Sequence, residues 1–160
     1  MVILASHAYL IPVFPLVAFA INILFSRWVR HRAAWISILA SLAASALALP
    51  TVYQIARYGG SFMQEWTWIG LGSYTLTFGY LIDPLATVLL FVVTIVGTLI
   101  QIYSVGYMHE DPRYSRFFAY MSLFMFGMLS LVIASNFILF FMSWEIVGLC
   151  SYLLIGFWFE

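Results

Sequence analysis

Apolar residues run through this chain in long blocks, broken by short polar or irregular stretches. A helix needs about 20 mainly apolar residues to cross the hydrocarbon layer of a bilayer. The blocks that reach this length run from Val2 to Phe25, Ala33 to Ala56, Pro84 to Tyr107, Phe117 to Ala134 and Phe137 to Trp158. Each predicts a transmembrane helix. The stretch GGSFMQEWTWIGLGSYTLTFGYLID, between the second and third blocks, has a different pattern. Aromatic and β-branched residues alternate with polar ones in QEWTW and YTLTF, and GLGS stands between the two runs. That pattern predicts a β-hairpin over about residues 62–82. An open hairpin has unpaired edges that lipid cannot satisfy, so it is placed on the membrane surface. Asp83-Pro84 then supplies an N-cap and a first-turn proline for the third helix.

Composition agrees with this pattern. Hydrophobic residues make up 65% of the 160 positions, charged residues 8%, and mean hydropathy is +1.06. Soluble domains are about half apolar and about a quarter charged. The predicted fold class is therefore an all-α polytopic membrane protein. It has about five transmembrane helices plus a surface hairpin between helices 2 and 3, in one membrane domain over residues 1–160. Six basic residues balance six acidic ones, so no net field exists to recruit nucleic acid. The lone Cys150 excludes an internal disulfide and any multi-cysteine metal or cluster site. The first block is longer than a signal h-region and lacks a basic n-region and a cleavage site, so it reads as a mature helix.

Every base is an arginine. Arg27, Arg30 and Arg32 follow the first block, and Arg113 and Arg116 follow the third. Arg57 alone lies on the other side. The positive-inside rule then turns the N-terminus and the hairpin outward. The fifth helix runs from outside to inside and brings Glu160 to the inner surface. A patch for lipid headgroups is the competing reading of the first arginine cluster.

Polar side chains at membrane depth are rare and need a reason. Glu145 lies eight residues into the fifth block, about 12 Å along a helix and near mid-membrane. Desolvation favours its neutral form, and a nearby cation favours the ionised one. A group balanced between the two can take up and release a proton. The simpler alternative is a neutral glutamic acid that joins helices by hydrogen bonds. At about 100° per residue, Ile138, Phe141, Leu149, Tyr152 and Gly156 share the Glu145 face, with Gly148 at its edge. That face is expected to pack inward, because Gly148 and Gly156 allow close helix approach. Ser143 and Cys150 point the other way, and Cys150 reads as a small packing residue. Tyr152 could lend a hydroxyl to a proton path, although packing is the commoner role. His7 reads as an interfacial histidine and Asn22 as a helix–helix hydrogen bonder. His109, Glu110 and Asp111 form a polar knot that could gather protons or touch a partner, against the simpler reading of a solvated turn before Pro112. No metal-ligand spacing, phosphate-binding glycine motif, haem or cluster motif, or nucleophile triad is present. With no lysine and with arginines only in loops or at helix ends, any cation paired with Glu145 must come from outside these 160 residues.

WEIVGLCSYLLIGFW, Trp144 to Trp158, closely resembles the signature of the antiporter-like subunits of respiratory complex I. Among these it is most similar to chain L, or subunit 5, of NADH:quinone oxidoreductase. The resemblance extends through YSVGYMHEDPRYSRFFAYMSLF (Tyr103 to Phe124), IDPLATVLL (Ile82 to Leu90) and EWTWI in the hairpin. It implies the N-terminal part of a longer subunit of about fourteen helices. In that family a helix-five glutamate, here matched by Glu145, pairs with a lysine on a later, broken helix. Trp144 and Gly148 are carried over as flanking support, with Tyr152 and His109 as possible supporting residues. The implied function is proton translocation coupled to quinone reduction. Other membrane subunits are the implied partners, and flavin and iron–sulfur clusters lie in other subunits, with no cofactor in this chain. The expected setting is an energy-transducing membrane, the bacterial inner (plasma) membrane. A cation/proton antiporter or inorganic-carbon uptake subunit of the same fold is the alternative, and a purely structural scaffold is the third reading.

Overall fold

A computed structural model describes residues 5–71 and 74–158 of the chain. A short 3-10 turn, Ala5–His7, leads into α1 (Leu10–Leu24). A four-residue α2 (Ser26–Val29) and a second 3-10 turn, Arg30–Arg32, connect to α3 (Ala33–Tyr58). Strands β1 (Phe62–Leu71) and β2 (Tyr74–Ile82) follow, then α4 (Pro84–Tyr107), α5 (Tyr114–Val132) and α6 (Phe137–Ile155). The fifth apolar block of the sequence is thus α6.

Among the described residues, α3, α4, α5 and α6 are each long and apolar enough to cross a membrane. The first block departs from expectation. Its helix starts at Leu10 and has 15 residues, about 22 Å at 1.5 Å per residue, short of a 30 Å hydrocarbon layer. Proline is the physical reason. Pro12 lies in the first turn of α1, where its missing N–H costs no helical bond, whereas Pro15 lies inside the helix and removes one, so the helix cannot extend regularly upstream of them. Residues 1–4 and Glu160 lie outside the described residues.

Local chemistry sets the other boundaries. Asp83 accepts from the Ala86 N–H at 2.7 Å and Pro84 opens α4. Asn136 caps α6 by accepting from the Leu139 N–H at 3.0 Å. Gly59 and Gly60, at φ +70° and +92°, end α3 in conformations that side chains rarely adopt.

The helices meet through small and hydroxyl-bearing residues. On α3 the buried face is Ser37, Ser41, Ala44, Ser45, Ala48 and Thr51, and it packs on α1, α4 and α5. The hydroxyls mostly return to their own helix: Ser45 donates to the Ser41 carbonyl at 2.8 Å, and Thr98 to the Thr94 carbonyl at 2.7 Å. Asn22 ties three helices together. Its Nδ2 donates to Ser37 Oγ at 2.8 Å and to the Ala33 carbonyl at 3.2 Å, and Ser37 Oγ lies 2.8 Å from Ser122 Oγ on α5. The helix–helix role expected of Asn22 is what the structure shows.

The two strands pair antiparallel from Phe62↔Ile82 to Leu71↔Tyr74, with a register shift between Thr67 and Ile69. Gly79 is required by the pairing, since a Cβ there would overlap the Gln64 carbonyl oxygen. The hairpin is fastened to the helices at several points. The Leu81 N–H donates to the Ile133 carbonyl at 2.8 Å, and Asn136 Nδ2 donates to the Thr77 carbonyl at 2.8 Å. The buried Tyr80 hydroxyl reaches the Ser6 carbonyl at 2.8 Å and Gln64 Oε1 at 3.0 Å.

Both arginine-bearing loops lie at one end of the bundle. Ser115 Oγ donates to the Ser26 carbonyl at 3.4 Å, which joins the start of α5 to the α1–α2 corner. Arg57 is at the far end, in the last turn of α3.

Candidate proton-transfer site

α6 is apolar nearly all round, and it packs chiefly on α5. Its buried positions are Leu139, Ser143 and Cys150, spaced four and seven residues apart on one face. Gly127 of α5 makes this approach possible. A Cβ there would lie 3.0 Å from Ile146 Cγ2 and 3.1 Å from Val147 Cγ2.

Glu145 is the ninth residue of α6, about 13 Å along a helix of about 28 Å. Its mid-helix depth agrees with the sequence reading, but its orientation does not. The face expected to pack inward is the one these helices leave open. Glu145 is exposed, as are Ile138, Phe141, Leu149 and Tyr152, while Ser143 and Cys150 point into the bundle. The close contact with α5 uses Gly127 rather than a glycine of α6: a Cβ on Gly148 would meet nothing within 4 Å. The physical reason is that helical periodicity groups residues into faces without naming the face that is covered. Trp144 is 58% exposed and sets its ring edge-on to Phe141 at 6.4 Å. Tyr152 is 74% exposed, so its phenol projects from the same open face.

His109 is not part of this constellation. It is exposed in the α4–α5 turn, where its N–H reaches back to the Gly106 carbonyl at 3.4 Å. Its neighbour Asp111 accepts from the Trp158 indole N–H at 2.8 Å and from the Arg113 N–H at 2.7 Å. Asp111 thereby holds Trp158, three residues past the end of α6 and thirteen residues beyond Glu145. His7 lies at the other end of the chain's helices, 3.2 Å from Ser6 Oγ and stacked on Tyr9.

A groove of about 340 Å³ opens between α1, β2, α5 and α6, lined by Tyr9, Phe78, Met142 and Ser143 among others. Glu145 does not line it. No group of three His, Cys, Asp or Glu side chains able to hold a metal occurs among the described residues.

The sequence reading missed several buried polar residues. Gln101, Ser122 and the ladder of Ser37, Ser41, Ser45, Thr94 and Thr98 are buried. The four-residue spacing of the serines and threonines was the available signal. Tyr80 and Asn136, which hold the hairpin to the bundle, had no such signal because their partners lie far away in sequence.

Comparison with known proteins now bears on this geometry. Residues 68–118 match the family described as NADH-Ubiquinone oxidoreductase (complex I), chain 5 N-terminus. NAD(P)H-quinone oxidoreductase subunit 5, chloroplastic, of Anthoceros angustus is 40% identical over 159 residues, covering 95% of this chain and 22% of that protein. The namesake from Cryptomeria japonica is 41% identical over 161 residues, with 96% and 22% coverage. That of Ipomoea purpurea is 53% identical over 109 residues, with 68% and 15% coverage. The chain therefore spans about a fifth or less of the length of these curated relatives. Their chloroplastic names overturn the expected bacterial inner membrane. Hydrophobic length and arginine bias respond to hydrocarbon thickness and insertion, which energy-transducing membranes share, so composition could not separate them. Over nearly its whole length the chain resembles subunit 5 of the complex I-type NAD(P)H-quinone oxidoreductases, and its residues 68–118 carry the chain 5 N-terminus pattern.

Proposed function

We propose that these 160 residues are the N-terminal portion, one membrane domain, of a proton-translocating subunit in a chloroplast NAD(P)H-quinone oxidoreductase. The carrying observation is Glu145: a carboxylate at mid-depth of a membrane-length helix, on a face the other described helices do not cover. A carboxylate turned toward lipid at that depth costs roughly 2.5–3.5 kcal/mol on insertion scales. The open face therefore packs against further protein of the assembly, and that protein supplies the cation that pairs with Glu145. Trp144, Gly148 and Tyr152 line the same face and shape the path around the carboxylate. His109 stands at the arginine-bearing end, where a proton can exchange with water. In this reading α1 and the turn before it make a fifth crossing, and the hairpin lies at the membrane surface. Flavin and iron–sulfur chemistry belongs to other subunits, and this chain adds no redox site. The names of the relatives favour this role over an antiporter or carbon-uptake subunit.

The test is Glu145→Gln in the complete complex. Glutamine keeps size and hydrogen bonding but cannot exchange a proton. Proton pumping driven by quinone reduction should fall at least tenfold in this subunit's share, with the complex still assembled. Unchanged pumping and unchanged quinone reduction would refute the role.

A further inference from the structure

The molecule is neutral overall, but its charges are separated in space. The first acidic residue of the chain is Glu65. α1, α2 and the turn Arg30–Arg32 therefore hold three arginines and no carboxylate. α5 packs against both α2 and that turn, adds Arg116, and has no carboxylate either. Glu110 and Asp111 are the carboxylates of the adjoining loop. Both oxygens of Asp111 are engaged, one by Trp158 and one by the Arg113 N–H. The Arg113 guanidinium lies 5.2 Å from the centre of the Phe157 ring, at the end of α6. Arg27, Arg30, Arg32 and Arg116 are exposed, and the Ser115–Ser26 hydrogen bond joins the loops that carry them.

Beside these arginines, large apolar side chains are also exposed. Leu24 is 75%, Phe25 53% and Trp28 88% accessible. Tryptophan beside arginine at the end of a membrane helix is the chemistry of the lipid–water boundary, with the ring among acyl chains and the guanidinium among headgroups. Arg30 is also the one non-glycine with positive φ, +36°, among the described residues. Strain of this kind persists where the surroundings or a ligand hold it.

We propose that this corner binds the headgroup of an anionic lipid through Arg27, Arg30, Arg32 and Arg116, with Trp28 as its anchor in the acyl layer. A guanidinium fork matches a phosphate or sulfonate in two-point geometry. A free anion would use the arginines but leave Leu24, Phe25 and Trp28 in water. A bare topology signal would need the positive charges but neither the exposed tryptophan nor the turn at Arg30.

The test uses the complete complex in nanodiscs of phosphatidylcholine containing phosphatidylglycerol, with lipids retained after detergent washing read by native mass spectrometry. The wild type should retain phosphatidylglycerol. The Arg27→Gln/Arg30→Gln/Arg32→Gln variant should bind it on the order of a hundredfold more weakly. The corresponding lysine variant should keep most of the binding, and Arg57→Gln, at the far end, should keep all of it. If the triple variant fails to assemble, Arg30→Gln and Trp28→Ala decide, each with a several-fold loss expected. Equal retention by these variants and wild type would overturn the proposal. So would equal retention of phosphatidylcholine, or displacement of the lipid by soluble glycerol phosphate, which would reassign the site to a free anion.

Discussion

α3 and α6 are both apolar enough to cross a bilayer, yet the hydroxyls of α3 and the carboxylate of α6 lie on opposite kinds of surface. α3 buries Ser37, Ser41, Ser45 and Thr51 against neighbouring helices. The Ser41, Ser45 and Thr51 hydroxyls donate to carbonyls of their own helix, Ser37 bonds across to Asn22 and Ser122, and the residues are small enough to let backbones approach. α6 buries little, and its one carboxylate, Glu145, faces out of the bundle. The first pattern is that of a helix whose polar face is covered by the other described helices. The second is that of a helix whose carboxylate-bearing face those helices leave open. Polar residues inside a membrane protein thus divide by where their partners lie: serine and threonine can turn back on their own backbone, whereas a carboxylate needs another group.

The contrast between covered and open faces can be broken most strongly at Gly127 of α5 and Gly148 of α6. Gly127→Val drives methyl groups into Ile146 and Val147 and should destabilise the subunit by about 2–3 kcal/mol, as overpacking does. Gly148→Val, with nothing within 4 Å, should cost clearly less in the same denaturant unfolding. Equal costs would mean that both faces of α6 are packed alike. Next is the contrast between Asn22 and Glu145. Asn22→Leu removes two interhelical hydrogen bonds and leaves the Ala33 carbonyl without that donor, for about 1–2 kcal/mol. Under the proposed role, Glu145→Gln should leave thermal stability of the complex nearly unchanged while removing this subunit's share of proton pumping. A large loss of stability there would make Glu145 a structural hydrogen bonder instead.

The smallest effect is at the hairpin. Tyr80→Phe should loosen its attachment by about 1 kcal/mol, seen as faster amide exchange at Leu81. Burial, and then the neighbouring Tyr9, raise the Tyr80 phenol above its ordinary 10.0. A raised pKa means that the folded state favours the protonated form. The contribution is therefore complete below pH 10 and is lost as pH rises through the higher folded value, where the phenolate can no longer donate. Tyr80→Phe should remove that alkaline transition from the exchange profile. A transition unaltered in the variant would assign it to another group.

Much of the organisation was legible because it is local. Helix α4 runs over the span that its apolar block and its Asp83-Pro84 start predicted, and the alternating aromatic residues form the two strands. Arg57 sits apart from the other arginines, as the loop order required. α1 was read too long because hydrophobicity reports solubility in lipid and not backbone hydrogen bonding, which Pro12 and Pro15 limit.

What the sequence determined by itself was the inventory: apolar helices of membrane length, a hairpin, arginines gathered at one end, and a lone acid at mid-depth of α6. Each follows from composition, periodicity or capping within one segment. Only the tertiary structure decided which side of each helix is covered. Leu139, Ser143 and Cys150 meet α5 because Gly127 offers room there, and that contact turns Glu145 to the open side. Asn22 and Asn136 acquire their partners across 15 and 59 residues of chain. The reason is geometric: a helix repeats every 3.6 residues whatever lies beside it, and only the neighbours' shapes select the buried face.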